Sequence, residues 1–312
     1  MMKFLIILLD ANCPSYCTYE KSEVQEGLMP IEILKEGIHY ALIENLYVQV
    51  VYPDYALDEE YMAVLDSVDK IGMASVRSLN ANSADVLIIE NWDDIPKLKC
   101  DAEATYILRS SKESLFEQYT LLIDFIKKVK RANLVLTDID TFSDNDFTRY
   151  KKVLREISNS IVARFQRETF LPEVSTLTDR ITLDQMNNCN AGIESITLAP
   201  DGNYYVCPGF YHEGEPVGNI NSGPCIKNPQ LLKIDNAPIC SQCDAYQCKR
   251  CVWLNKKTTL EINTPSHEQC VVSHIERNAS RELLIRLKDS GFKTKSKIKR
   301  IEYLDPFEKF FA

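Results

Sequence analysis

Long apolar runs are missing from this sequence. The longest near the start, Phe4 to Leu9, covers six residues and meets Asp10, whereas a membrane span takes about 20 apolar residues and a signal-peptide core about 7 to 15. The residues before Cys13 read Leu9-Asp10-Ala11-Asn12, an acid and an amide where a bacterial lipoprotein cleavage site needs small or apolar side chains. These absences argue against membrane attachment and for a cytoplasmic protein. Excess positive charge is missing too: 36 basic residues stand against 45 acidic ones, a net charge of −9. No general field draws the chain to a nucleic-acid backbone or an anionic bilayer, and a basic or neutral partner fits better. There is no internal repeat and no low-complexity tract. Histidine is scarce, with four in the chain, and the first 188 residues hold only Cys13, Cys17 and Cys100 of the eleven cysteines.

What is present is a globular composition, 45% hydrophobic and 26% charged over 312 residues, long enough for a substantial core. Strand-length apolar runs lie at Phe4 to Leu9, Leu46 to Tyr52, Asp85 to Glu90, Thr105 to Arg109 and Asn133 to Thr137. Stretches with apolar residues at helical spacing fall between them, at Val24 to Asn45, Glu59 to Lys70, Lys112 to Lys130 and Asp144 to Arg167. Runs such as "DVLIIE" and "NLVLTD" are apolar throughout, as strands are when helices cover both faces of a parallel sheet. Residues 1–175 thus predict an α/β domain, an open sheet or a partial barrel.

Composition changes after Leu171-Pro172. Residues 176–279 are rich in Gly, Pro, Asn and Cys, with short strand signals "ESITLAP" and "NYYVCP" around the turn Pro200-Asp201-Gly202-Asn203. Little here can build a large apolar core, so another organising force is needed. The stretch "CSQCDAYQCKRC" supplies it: Cys240/Cys243 and Cys248/Cys251 are pairs two residues apart, joined by four residues. Each pair offers two soft ligands from one turn, which is how thiolate metal sites are built. Zinc and iron–sulfur clusters both suit such a site. Residues 280–312 begin as a helix, carry a basic cluster from Lys293 to Arg300 and end in an aromatic tail.

The wider cysteine order resembles the SPASM domain found at the C-terminus of many radical S-adenosylmethionine enzymes that modify peptides. Cys189 is followed after twelve residues by Gly202, after four more by Cys207, then come the four clustered thiols and, eighteen residues on, Cys270. "CNAG", "APDGNYYVCP" and "VGNI" agree with the same domain. The clustered part departs from the family pattern by one residue too few between Cys243 and Cys248 and one too few between Cys248 and Cys251. The resemblance implies two auxiliary [4Fe–4S] clusters. Cys240, Cys243, Cys248 and Cys270 would hold one, and Cys189, Cys207 and Cys251 would contribute to the other, which lacks a fourth ligand. Cys225 is a candidate for that place without a counterpart in the family; an open iron, no second cluster, or zinc in a relic of the domain are the alternatives.

The same family opens with a strand and a loop of three cysteines that hold the cluster binding S-adenosylmethionine. Here "FLIILL" leads to "CPSYCTYE": Cys13 and Cys17 keep the first spacing and Tyr19 precedes the third position, which is Glu20. A carboxylate is a hard ligand for iron that must stay soft and reducible. The glycine-rich turn after the second strand is also missing, since "VQVVYPDY" has Pro53 and Asp54 there. Cys13 and Cys17 stand as cofactor-binding candidates or as plain core thiols, with Glu20 as an unusual third ligand. Taken together, "LLDANCPSYCTYE", the altered second strand and the retained SPASM cysteines are similar to the CXXX repeat peptide maturase group.

That resemblance implies a partial (β/α) barrel of radical S-adenosylmethionine type with a degenerate cluster loop, followed by the cysteine-rich domain. It further implies an accessory or atypical maturase of a ribosomally made, cysteine-rich peptide, paired with a second radical maturase subunit. A self-sufficient radical enzyme and a zinc-stapled binding module are the rival readings. His212 and His267 lie near Cys207 and Cys270 and are candidate ligands or donors to ligands. The acids of "ENWDD" and "DIDTFSDND" sit where α/β folds place ligands, and equally where helices take their N-caps.

Overall fold

The computed structural model describes residues 2–21 and 27–294. Strands and helices alternate as β1 (Phe4–Leu8), α1 (Ile31–Ile43), β2 (Tyr47–Val51), α2 (Glu59–Leu65), β3 (Lys70–Ser75), β4 (Val86–Ile89), β5 (Thr105–Ser110), α3 (Lys112–Ile126), β6 (Arg131–Leu136), α4 (Asp144–Glu168) and β7 (Glu173–Val174). Each strand from β1 to β7 pairs in parallel with the next. This single winding direction is that of a (β/α) barrel opened between its first and last strands. Single-turn 3₁₀ segments, Ala81–Ser83 and Trp92–Lys97, replace helices on either side of β4.

Strand β8 (Ser195–Leu198) pairs in parallel with β1 on its free side, and β9 (Tyr204–Tyr205) pairs antiparallel with β8, which makes a nine-stranded sheet. The sheet therefore continues from residues 1–175 into the cysteine-rich stretch. So does the core: Leu5, Ile7, Val50 and Ile196 share one buried cluster with Tyr204, Phe210 and Trp253. The remaining elements are α5 (Asp179–Thr182), α6 (Pro208–His212), the two-stranded β10 (Gly218–Asn219) and β11 (Gly223–Pro224), α7 (Val252–Thr259) and α8 (His267–Asp289). A second cluster gathers α3, α4 and α8 through Phe125, Tyr150, Ile157, Val271 and Leu283.

Two expectations need correction. The helix anticipated from Val24 begins at Ile31, because Pro30 has no N–H to give an interior helical bond and serves as N-cap. Residues 22–26 lie outside the described residues. The second is β3, absent from the strand list above. "KIGMAS" carries a glycine and few β-branched residues and so reads weakly as a strand, yet a Cβ on Gly72 would lie 2.7 Å from the Ser83 carbonyl. The glycine lets the Ala81–Ser83 turn close over the sheet. Helix α8 starts thirteen residues before Ser280, at His267; most of the basic cluster and all of the aromatic tail, from 295 onward, lie outside the described residues. Among the described residues no helix is long and apolar enough to cross a membrane.

Candidate metal centre

The clustered cysteines sit on consecutive tight turns. Cys240 opens a 3₁₀ turn, Cys240–Gln242, and the turns that follow aim backbone N–H groups at sulfur. Ala245 N–H donates to Cys243 Sγ, Arg250 N–H to Cys248 Sγ and Leu254 N–H to Cys251 Sγ, each at 3.4 Å. Hydrogen bonds of this kind favour thiolate over thiol. One turn after Cys270, His274 places Nε2 3.5 Å from Cys243 Sγ. Cys270 itself is half-buried on the first turn of α8.

Burial pushes the Cys240 thiol up to about 11 and the Cys243 thiol up to about 12, and the charges of neighbouring cysteines add to the shift. Thiols crowded together out of water cannot all ionise unless a cation joins them. The knot is in turn anchored by Asp244, which is almost fully buried. Its carboxylate meets Arg277 Nη1 at 2.9 Å, Arg180 Nη2 at 3.6 Å and Arg281, while Arg180 Nε donates to the Asp244 carbonyl at 2.5 Å. α5 and α8 thus grip the loop between Cys243 and Cys248.

A second group forms where α6 and α7 begin. Cys207 is the N-cap of α6 and Cys251 the N-cap of α7, positions that favour negative charge. The two helix starts pack closely, since a Cβ on Gly209 would lie 2.7 Å from the Trp253 ring. Burial raises the Cys207 thiol well above its ordinary value, with Cys251 and Cys189 next among the causes. Cys189 is an exposed residue, and its thiol is raised as well, by its packing and then by the charge of Cys251. The donors present, soft thiols on turns that aim N–H groups at them, fit an iron–sulfur cluster or zinc. Among the described residues no group of three or more His, Cys, Asp or Glu side chains is gathered closely enough to hold a metal ion.

The N-terminal loop takes a different course from the one its spacing suggested. Cys13 is buried and its thiol donates to the Val51 carbonyl at 3.1 Å. Cys17 instead packs against the apolar cluster that Cys207 and Cys251 also touch, and Thr18 Oγ1 donates to Cys251 Sγ at 3.7 Å. Glu20 is exposed. Cys13, Cys17 and Glu20 are not gathered into a group that could hold a metal ion. The turn after β2 is filled as well: the Pro53 carbonyl accepts from Ser78 Oγ and Asn80 Nδ2, and Tyr55 donates its hydroxyl to Asp10 at 2.5 Å.

A polar cleft of about 630 Å³ opens at the C-terminal ends of β4, β5 and β6, lined among others by Glu20, Glu90, Trp92, Arg109, Gln118 and Thr137. Arg109 bonds Glu90 at 3.0 Å and reaches the Cys17 and Tyr19 carbonyls at 2.9 Å. Most other acids singled out near here cap or pair. Asn91 accepts from Asp93 N–H, Asp94 binds Arg77, Asp138 accepts from Lys112 N–H, and Ser143 with Asp146 forms a capping box. His212 stacks on Tyr19 with ring centres 5.6 Å apart, and burial holds its pKa down at about 4. His267 begins α8. His274 was hidden in the sequence because it is separated from Cys243 by thirty residues; its one signal was the helical spacing from Cys270.

No protein-family model and no curated protein matches the sequence. Solved structures do match. anSMEcpe with bound AdoMet superposes with a TM-score of 0.58 at 11% identity, over 92% of this chain and 95% of that one. Native anSMEcpe with bound AdoMet and Cp18Cys peptide gives 0.58 at 12%, over 93% and 100%. At this identity the likeness concerns the fold: a mostly parallel α/β sheet, shared with anSMEcpe, is the architecture of this chain.

Proposed function

We propose that this chain takes part in maturing a ribosomally made, cysteine-rich peptide, as an iron–sulfur protein of radical S-adenosylmethionine/SPASM type that does not generate the radical itself. The carrying observation is the contrast between its two cysteine regions. In the C-terminal region, N–H groups point at Cys243, Cys248 and Cys251, on a chain whose fold matches a protein solved with AdoMet and a peptide. In the N-terminal loop, Cys13 is spent on a backbone carbonyl and the third position is a carboxylate.

Under this reading Cys240, Cys243, Cys248 and Cys270 hold one cluster, and Cys189, Cys207 and Cys251 contribute to another. Such clusters, once bound, supply electron transfer or a Lewis-acidic iron. The chain's own residues hold the knot, through Asp244 and its arginines, and present a polar cleft with Glu90 and Arg109 for the precursor. A second maturase of the same type would supply the radical. The resemblance to the CXXX repeat peptide maturase group supports that division of labour and a cytoplasmic setting.

The test is iron, sulfide and zinc content of protein purified and reconstituted without oxygen, alongside S-adenosylmethionine cleavage under strong reductant. Iron with matching sulfide, about halved in Cys240→Ala/Cys243→Ala and kept in full in Cys13→Ala, with no cleavage, is the expected result. Zinc without iron would overturn the reading in favour of a structural staple. Reductant-dependent cleavage by the chain alone would overturn its accessory role.

A further inference from the structure

We infer that Cys17, from the N-terminal loop, is the fourth ligand of the site formed by Cys189, Cys207 and Cys251. This rests on the iron–sulfur reading of those three cysteines. Sequence order alone pointed elsewhere, to Cys225 or to an open iron, because Cys17 lies more than 170 residues before the nearest member of the group. Three observations bring it in.

The first is contact. The Thr18 hydroxyl, next to Cys17 in the loop, donates to Cys251 Sγ at 3.7 Å, which brings this part of the loop up to the three cysteines. Cys17, Cys207 and Cys251 also pack against one apolar cluster that includes Tyr16, Phe210 and Trp253. Cys225 lies just beyond β11 and, like Cys189, is exposed.

The second is that the loop is held in this position. Arg109 on β5 reaches across the sheet to the carbonyls of both Cys17 and Tyr19 at 2.9 Å. Ser15, fully buried, donates to the Tyr19 carbonyl at 2.7 Å and to that of Cys17 at 3.3 Å. The Tyr19 ring, fixed by this clasp, stacks on His212 at the end of α6, the helix that Cys207 caps. Backbone and ring contacts together dock the loop against α6, so the position of Cys17 and Thr18 beside Cys251 is specified by more than one rotamer.

The third is exclusivity. A thiol can serve the N-terminal loop or the C-terminal site, and Cys13, the other thiol of the loop, faces away to the Val51 carbonyl. Four thiolates complete the coordination of a [4Fe–4S] cluster, and each thiol gives up its proton to solvent as it binds iron. The chain would then have converted a remnant of one cluster loop into the missing ligand of another, fastening the open side of the barrel to the cysteine-rich region.

The inference is tested by iron and sulfide counts and by electron paramagnetic resonance on anaerobically reconstituted wild type, Cys17→Ala, Cys13→Ala and Cys225→Ala. With two clusters in the wild type, Cys17→Ala should lose about half the iron or convert one cluster to a three-iron form, while the other two variants keep the wild-type count. Unchanged iron and spectrum in Cys17→Ala, or loss in Cys225→Ala instead, would overturn it. A wild type without iron would sink the underlying function with it, which separates the two failures. Should Cys17→Ala not fold, anaerobic alkylation of loaded wild type decides: Cys17 should be protected until iron is chelated, whereas Cys225 reacts throughout. Equal labelling of the two in loaded protein, or a Cys17–Cys251 disulfide in protein kept reduced, would overturn the assignment.

Discussion

Nε2 of His274 lies 3.5 Å from the Cys243 thiol, so the long helix α8 meets the cysteine knot through a side chain one turn beyond Cys270. Residues four apart share a helix face, and α8 therefore offers the knot two candidate donors, a thiol and an imidazole. The resemblance assigns ligation to Cys270, which leaves His274 as hydrogen-bond partner to a ligating sulfur. Removing such a partner costs about 10-fold or more in metal affinity. His274→Ala should therefore release iron to a chelator about 10-fold faster than wild type while keeping the initial count, whereas Cys270→Ala should lose the cluster itself. Identical release from His274→Ala and wild type would reduce the contact to packing.

Asp244 binds three arginines, of which Arg180 is wholly buried. The carboxylate lies between Cys243 and Cys248, and neutralising it leaves buried guanidinium groups without their counter-charge. Breaking a buried ion pair from one side costs about 3 to 5 kcal/mol. Asp244→Asn should lower unfolding stability by about that amount in urea titrations, and metal content should fall as the loop loosens. A loss under about 1 kcal/mol, the range of exposed pairs, would mean that solvent reaches the cluster of charges.

Gly209 and Trp253 fix how closely the starts of α6 and α7 approach. Any side chain at 209 meets the indole ring, at 2.7 Å for a Cβ. Overpacking of this kind costs about 1 to 3 kcal/mol. Because Cys207 and Cys251 cap the same two helices, Gly209→Val should also spread the two sulfurs. Iron analysis should then show loss from that site while the Cys240/Cys243/Cys248 knot keeps its metal, resolved by the spectrum that survives in the variant.

Much of this was legible in the residues themselves. The continuous apolar runs "FLIILL" and "DVLIIE" became β1 and β4, and the pattern of Cys189, Gly202 and Cys207 fell around β8 and β9, with Gly202 at φ +77° in the turn between them. Local pattern carries such information because strand period and turn chemistry are written within a few residues. Long-range meetings are not written that way. The Thr18–Cys251 contact and the His274–Cys243 contact depend on how the sheet edge at β1 accepts β8 and how α8 packs on α4. β3 was missed for a related reason: Gly72 looks unsuited to a strand until the turn at Ser83 that needs the space is known.

Glu276 supplies a pH signature. Its carboxyl is buried on α8, and burial raises its pKa to about 7 even though Tyr150 from α4 donates to it at 2.7 Å and Gln247 at 3.4 Å. An unfolded chain releases this proton near 4.3, the ordinary value for glutamate. Between that pH and about 7 the folded protein binds the proton that the unfolded one has released, so stability falls as pH rises through this window and levels off above it. The penalty at the upper plateau is about 4 kcal/mol, the shift converted at about 1.4 kcal/mol per pH unit. Glu276→Gln keeps a neutral, hydrogen-bonding group of the same shape and removes the titration. Urea unfolding at pH 5 and pH 8 should show wild type losing stability relative to Glu276→Gln on going to the higher pH. Parallel stabilities at both values would mean that Glu276 ionises freely in the folded state, and that water or Lys249 offsets its burial.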